Sequence, residues 1–374
     1  MKGFLWVFAS VFCLFFVVTF EFEYSILPEL YKFFNPFFEA LIRFSGTVFF
    51  GLDSDFNSEI SSDSLGLFVH LFNLFFVSFG TALFVTEVVR FDIVNLRPKL
   101  LQILTYYLSL QLLIFGFDKL FKGQFFYPEP NILHTNLRDL SPDILYWSTM
   151  GMSRGYSMFL GGSELLVAFL LWFRNTRFIA LIIGTGIMIN VVAVNFGFDI
   201  SVKVYSCFLL ASFLLVLSPY LSFFISGFSL KTPGEFTQVS QLKPRFNFKL
   251  KTVIKWSVIC LLLAEGMFPY FSTGNWNDDA AKRPKFHGAY SVSPNRFGIE
   301  KLYIHRAGYL ILEDEKSAKE DFHMELDTMN KEIVLWDYRN KKESRWRYTS
   351  QEDNLTGLIS KSDSHQYFQC KPIH

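Results

Sequence analysis

The stretch FGFDKLFKGQFFYPEP, residues 115–130, sets an acid beside a base where a long apolar run gives way to aromatics and prolines. Neighbouring helix positions point about 100° apart, so Asp118 and Lys119 cannot serve one partner. The expected arrangement turns Lys119 inward, toward Asp199 or Glu164, and leaves Asp118 to solvent or the following loop. Other polar residues lie in or at the ends of neighbouring apolar runs: Arg154, Glu164, Asn190, Asn195, Asp199, Lys203 and Glu265. An ionisable group in hydrocarbon costs roughly 2.5–3.5 kcal/mol on insertion scales, so such residues normally face a bundle interior and pair. Glu164 is the most expensive, because a short carboxylate near mid-depth cannot snorkel. Arg154 lies about 15 Å along the same helix and is not its direct partner. Met188, Val192, Asn195 and Asp199 keep helical spacing, which puts Asn195 and Asp199 on one face. Lys119, Arg154, Glu164, Asn190, Asn195, Asp199 and Lys203 are the expected ligand-binding set. The competing reading is a set of ion pairs that tie helix ends together.

Composition fixes the class. Hydrophobic residues make up 51% of 374, charged ones 18%, and 47 are phenylalanine. A soluble chain carries more charge on its surface. A net charge of +1 gives nucleic-acid binding no electrostatic support. A membrane protein is expected, with the lipid bilayer as its first partner.

Crossing about 30 Å of hydrocarbon takes roughly 20 residues. Runs of that kind fall at about 3–20, 65–88, 99–120, 152–173, 178–198, 202–226 and 253–272. Residues 28–43 are apolar but interrupted by charges and Pro36, which suits a helix lying in the interface. Basic residues gather after the second, fourth and sixth runs: Arg90, Arg97 and Lys99, then Arg174 and Arg177, then Lys231, Lys243, Arg245, Lys249 and Lys251. Residues 21–63 are acidic. Seven spans with a cytoplasmic N-terminus satisfy this alternation. The first run lacks a small-x-small cleavage site and reads as an uncleaved anchor.

From about 273 the pattern changes. HGAYSVS, KLYIHRAGYLILED, FHMELDTMNKEIVLWD, SRWRYTS and LTGLIS read as short strands parted by turns. The expectation is an α-helical integral membrane bundle followed by a small antiparallel β domain at 273–374, outside the membrane and periplasmic in a diderm. Gly274–Asn275–Trp276 resembles the Gly-x-Trp of lipocalin strands; a Trp anchoring the domain at the membrane surface is the competing reading.

Conventional catalytic motifs do not appear. Cys13, Cys207, Cys260 and Cys370 form no CxxC pair, though a disulfide from Cys370 stays open. His70 is the one histidine in a span, so no bis-histidine haem is expected. No phosphate loop, zinc motif or nucleophile elbow occurs. His287, His305, His323, His365 and His374 read as surface residues. Gly151, Gly155 and Gly162 on one face of the fourth span, and Gly184 and Gly186 in the fifth, are expected to let helices approach closely.

The segments around Lys119–Gln124–Phe125, from Met150 to Glu164, at RNTR and from Asn195 to Lys203 together resemble the large DoxX-like membrane proteins. The resemblance covers roughly residues 99–226 and implies a four-helix core, with 1–98 (N-terminal spans and interfacial helix), 227–272 (basic loop and last span) and 273–374 added. It also implies association with membrane oxidoreductase complexes. With no metal or thiol set of its own, the chain would handle electrons by holding a quinone or by docking a partner that carries the cofactor. An apolar slot with a few polar groups suits a quinone, and Glu164, Asn190, Asn195 and Lys119 supply such groups. Two function classes remain: a quinone-linked subunit of an inner-membrane complex, and a non-catalytic envelope scaffold whose β domain recruits a partner or cargo protein. A transporter is a third, without the inverted repeat that would mark it.

Overall fold

The computed structural model describes residues 2–89, 96–220, 248–294, 298–337, 343–352, 354–360 and 367–373. Arg90, Lys231, Lys243, Arg245, His365, His374 and the 221–226 end of the expected sixth span lie outside them. The helices are α1 (Lys2–Thr19), α2 (Tyr31–Phe50), α3 (Leu65–Leu83), α4 (Leu96–Leu120), α5 (Pro130–Leu133), α6 (Pro142–Met152), α7 (Arg154–Leu171), α8 (Arg177–Gly197), α9 (Lys203–Leu217) and α10 (Phe248–Thr273). The chain divides into two compact units, Met1–Gln124 with Gly155–Trp276, and Phe125–Arg154 with Asn277–His374.

Five segments among the described residues are long and apolar enough to cross a membrane. They are Leu65–Val89, Leu96–Leu120, Arg177–Gly197, Lys203–Tyr220 and Leu250–Ala280; Gly3–Thr19 is a shorter apolar helix. A helix is the single-segment solution in lipid, because every backbone group bonds within it. The hub is α4: 67% of its apolar window is buried, against 22–39% for the other four. It packs on α1, α9 and α10, while α8 pairs along α9 and α1 along α3. The helix α2 buries Phe38, Ile42 and Ser45 and leaves Phe33, Phe37, Phe44 and Phe49 exposed.

The helices α4 and α7 lie side by side and antiparallel. Ser109 Oγ donates to the Ala168 carbonyl at 3.1 Å, and Ser157 Oγ to the Lys119 carbonyl at 2.8 Å. Between these bonds Gly116 faces Gly161, where an added Cβ would strike the Gly116 carbonyl oxygen and the Leu120 nitrogen. The expected glycine set is corrected in part. Around Gly155, Gly162 and Gly186 a Cβ meets nothing within 4 Å; Gly184 makes a close contact as expected, Gly151 makes one with the Phe126 backbone, and Gly161, not among the expected glycines, makes the one against α4. Trp276 ends this unit against Phe121 and Phe271, well before the first strand, so the Gly-x-Trp does not open it.

The second unit is a closed antiparallel barrel of eight strands: β1 (Gly288–Ser293), β2 (Ile299–His305), β3 (Tyr309–Asp314), β4 (Lys319–Asp327), β5 (Glu332–Asp337), β6 (Glu343–Gln351), β7 (Asn354–Ser360) and β8 (Tyr367–Ile373). Each strand pairs with the next and β8 closes on β1, with Val292 opposite Cys370. All five expected segments carry strands, two of them as hairpins; β8 was not expected. An eight-stranded barrel is just wide enough for side chains to fill. Tyr290, Leu302, Ile304, Leu310, Tyr348 and Phe368 do so here. Cys370 is buried among them as a free thiol, and the other three cysteines are free too. Residues 125–154 fold with this barrel. Among them, α5 packs on the outside of β1 and β2, and His134 lies over Tyr303. Ala289, Tyr303 and Ile311 form a buried cluster there.

Replacing Gly161 by Val should push α7 off α4 and cost about 1–3 kcal/mol in unfolding of the detergent-solubilised protein. Gly162→Val, on the open side, should be close to neutral in the same measurement.

Candidate functional site

The acid and base at the end of α4 hold two different helices. Lys119 Nζ donates to Glu164 Oε2 on α7 at 2.8 Å, and both residues are buried. Asp118, one position before it, accepts a hydrogen bond from the Tyr270 hydroxyl on α10. The expectation for Lys119 toward Glu164 matches this geometry. For Asp118 the expectation was solvent or the following loop; half-buried, it bonds Tyr270 on α10 and also lies against Gly123 of that loop. A buried carboxylate needs a cation or donors to offset its lost hydration, and here the offset comes from outside its own helix. The ends of α4 and α10 and the middle of α7 therefore converge on one polar cluster. The three points at which the chain leaves this unit, after Gln124, before Gly155 and after Trp276, all adjoin it in sequence.

The rest of the expected set separates. Asp199 and Lys203 pair at 2.7 Å, four residues apart, with Asp199 exposed. The helix α8 stops at Gly197, and Asp199 sits in a left-handed turn with φ 52°, so it leaves the face it was expected to share with buried Asn195. Lys203 also lies 3.7 Å from Asp63, whose carboxylate accepts the backbone N–H groups of Lys203 and Val204 and caps α9. Carboxylates at a helix N-terminus are favoured by its dipole and free N–H groups. Asn190 and Arg154 are exposed, Arg154 at the edge of the other unit. Glu265 on α10 accepts the backbone N–H groups of Ser25, Ile26 and Leu27, pinning the loop after α1. An acidic cleft of about 310 Å³ in the first unit is lined by Glu21, Asn35, Glu39, Arg43, Asp55 and Glu59; within it Glu39 holds Arg43 and Glu21 holds Asn35.

A second cluster, not anticipated from the sequence, lies within the barrel unit. Glu129, the residue before α5, is buried. His287 Nε2 stands 2.9 Å from its carboxylate, Arg306 Nε 3.3 Å and His305 Nε2 3.8 Å. The Arg306 N–H also donates to it, at 3.1 Å. Asp278 pairs with Arg283 and Arg306. His287 and His305 are thus partly buried structural groups, which corrects their reading as surface residues. A similar knot binds β3 to β2 and β4: Glu313 takes Lys301 at 2.9 Å, the Tyr303 hydroxyl at 2.8 Å and Lys319 at 3.6 Å. The sequence signal for the first cluster was slight, a glutamate between two prolines.

Burial raises the Glu129 carboxyl, but the His287 and Arg306 donors outweigh it and leave it below the usual 4.5. Burial lowers His305 below 6.5, against a smaller upward pull from Glu129. The Ala307 N–H donates to His305 Nδ1 at 3.1 Å, so a second ring proton would lose that bond.

No protein-family model matches the chain, and no solved structure matches it. It is 30% identical over 111 residues to the uncharacterized protein YwoB of Bacillus subtilis (strain 168), a stretch covering 30% of this chain and 70% of that protein. The chain belongs to the YwoB family. Membership of the YwoB family brings no assigned reaction, so function has to be argued from the residues.

For the barrel unit the pH dependence has a definite sign. With His305 depressed, the folded state holds it neutral, so stability is full above about 6.5 and falls as the pH drops below that. With Glu129 depressed, a further contribution is lost below about 4.5. Thermal unfolding of the barrel, followed by its near-ultraviolet tryptophan signal, should shift down between pH 7.5 and 5. His305→Asn should flatten the part of that shift between pH 6.5 and 5.

Proposed function

We propose that the chain is a multipass envelope membrane protein whose bundle is a scaffold and whose barrel recruits a partner or cargo protein. The observation that carries this reading is the commitment of the buried charges to protein structure. Lys119 and Glu164 join α4 to α7, Asp118 and Tyr270 join α4 to α10, and Glu265 and Asp63 cap backbone. The barrel supports it as well, because its lumen is filled by its own side chains and its outer surface is what it offers a ligand. In this reading α1, α3, α4, α7, α8, α9 and α10 are seven spans, the N-terminus is cytoplasmic, and the barrel lies outside the inner membrane. The α4–α9 segment is its DoxX-like four-helix core.

A second reading, a quinone-linked subunit of a redox complex, draws support from the Lys119–Glu164 pair itself. An ammonium held in an apolar bundle is also the group that a ligand carbonyl would seek.

Extraction of the full chain in mild detergent, with mass spectrometry of bound small molecules and proteins, separates the two. The scaffold reading expects a stoichiometric protein partner, lost when residues 277–374 are removed and 127–152 are replaced by a Gly/Ser linker. A stoichiometric quinone that disappears with Lys119→Met would overturn it in favour of the redox reading.

A further inference from the structure

We propose that the corner between the α7–α8 turn and the first turns of α10 binds the phosphate headgroup of an anionic phospholipid. Among the described residues three cations meet there. Arg174 and Arg177 flank Asn175 and Thr176 in the turn, and Lys255 on α10 holds its Nζ 5.2 Å from the centre of the Phe173 ring. Arg177 Nε donates to the Leu171 carbonyl at 3.0 Å, which ties the guanidinium to the end of α7. Its two outer nitrogens make no hydrogen bond among the described residues. Lys251, one turn before Lys255 and exposed, adds a further charge at this end.

No carboxylate pairs with Arg174, Arg177 or Lys255 among the described residues. The chain has no acid from Leu165 to Phe198, and α10 has none before Glu265. Lys119 and Lys203, by contrast, each find a carboxylate. Lys255 lies about 8 Å inside the apolar segment that starts at Leu250. An ammonium at such a depth is costly, and it pairs or leans toward the interface. The ring of Phe173 offsets only part of that cost. Next to it in sequence, Trp172 is buried and its indole N–H has no acceptor among the described residues. Positive charge and a spare N–H thus stand at this corner without an anion.

The occupant follows from that charge and from where it lies. A phosphodiester accepts from the outer nitrogens of a guanidinium in a fork and meets an ammonium as a point charge. Basic pockets between transmembrane helices hold anionic headgroups in this way. Phe173, Ile179, Ile254 and Trp256 are exposed near the cations in sequence, a surface for acyl chains that a soluble phosphate would leave uncovered. This requires the bundle to lie in a bilayer, as proposed above. In that orientation the corner meets the cytoplasmic leaflet, whose anionic lipids draw basic residues. Arg174 and Arg177, read in the sequence as orientation charges, thereby acquire a ligand.

The test is native mass spectrometry of the delipidated full chain in mild detergent, titrated with phosphatidylglycerol and with phosphatidylcholine of the same acyl chains. Wild type should hold one phosphatidylglycerol more tightly than phosphatidylcholine. Arg174→Gln, at an exposed position, and Lys255→Gln, at a half-exposed one, should each weaken phosphatidylglycerol binding about fivefold and leave phosphatidylcholine unchanged. Lys99→Gln, which removes an exposed charge at the start of α4, should do neither. Equal affinity for the two lipids, an equal loss with Lys99→Gln, or displacement of phosphatidylglycerol by inorganic phosphate at the lipid's own concentration would overturn the proposal. Carbonate extraction of membranes separates this from failure of the bilayer reading. A chain released into the supernatant would remove both, whereas a chain retained in the membrane with no headgroup preference would remove the lipid site alone.

Discussion

The bundle depends on what two adjacent side chains do at the end of α4. A buried ammonium or carboxylate is tolerable only when an opposite charge or a set of donors replaces its lost water. Lys119 finds that replacement in Glu164, and Asp118 finds it in the Tyr270 hydroxyl. Because successive helix positions diverge by about 100°, the two solutions lie on different helices. The same residues that would be a liability singly thereby fix α7 and α10 on the hub helix. Hydrophobic packing in lipid cannot do this as sharply, since acyl chains are as apolar as leucine. The Gly116–Gly161 approach then sets how closely α4 and α7 lie, within reach of the short Glu164 side chain.

The barrel unit repeats the strategy outside the apolar helices. Segment 125–154 is far in sequence from the strands, yet Glu129 is anchored by His287 and Arg306, and Lys319 reaches back to Asn131 and Thr135. This clasp covers Tyr303 and Ile311, which face outward from the barrel and would otherwise be an exposed apolar patch. The inward face needs no such device, because eight strands bring enough large side chains to fill the lumen. The unit is therefore built from two separate lengths of chain, and neither is complete alone.

Much of this was legible in the sequence, for identifiable reasons. Long apolar runs place helices well, because length and hydropathy alone decide them, and α3, α4, α8 and α10 begin and end close to the expected positions. The Lys119–Glu164 pair was legible because two opposite charges in neighbouring apolar runs have few partners to choose from. Tyr270 was not, since a tyrosine near a membrane surface is ordinarily an interfacial residue. Asp199 was misplaced because helical spacing was extended past Gly197, where the chain turns left-handed. The glycine face failed by one residue, Gly162 for Gly161, which on a helix is a third of a turn. Strand β8 escaped because its alternation is short, with Phe368 and Cys370 as the buried positions, and Lys371 and Pro372 follow at once. The docking of 125–154 on the barrel escaped altogether, since no local pattern records a contact between residues such as Glu129 and His287.

The measurement that bears most directly on this account is a double-mutant cycle on Lys119 and Glu164, read as unfolding free energy of the full chain in detergent. If the pair is the clamp, Lys119→Met alone should cost about 3–5 kcal/mol by stranding a buried carboxylate, and Lys119→Met with Glu164→Leu should recover most of that. Single variants as stable as wild type, with no coupling between the two positions, would contradict it.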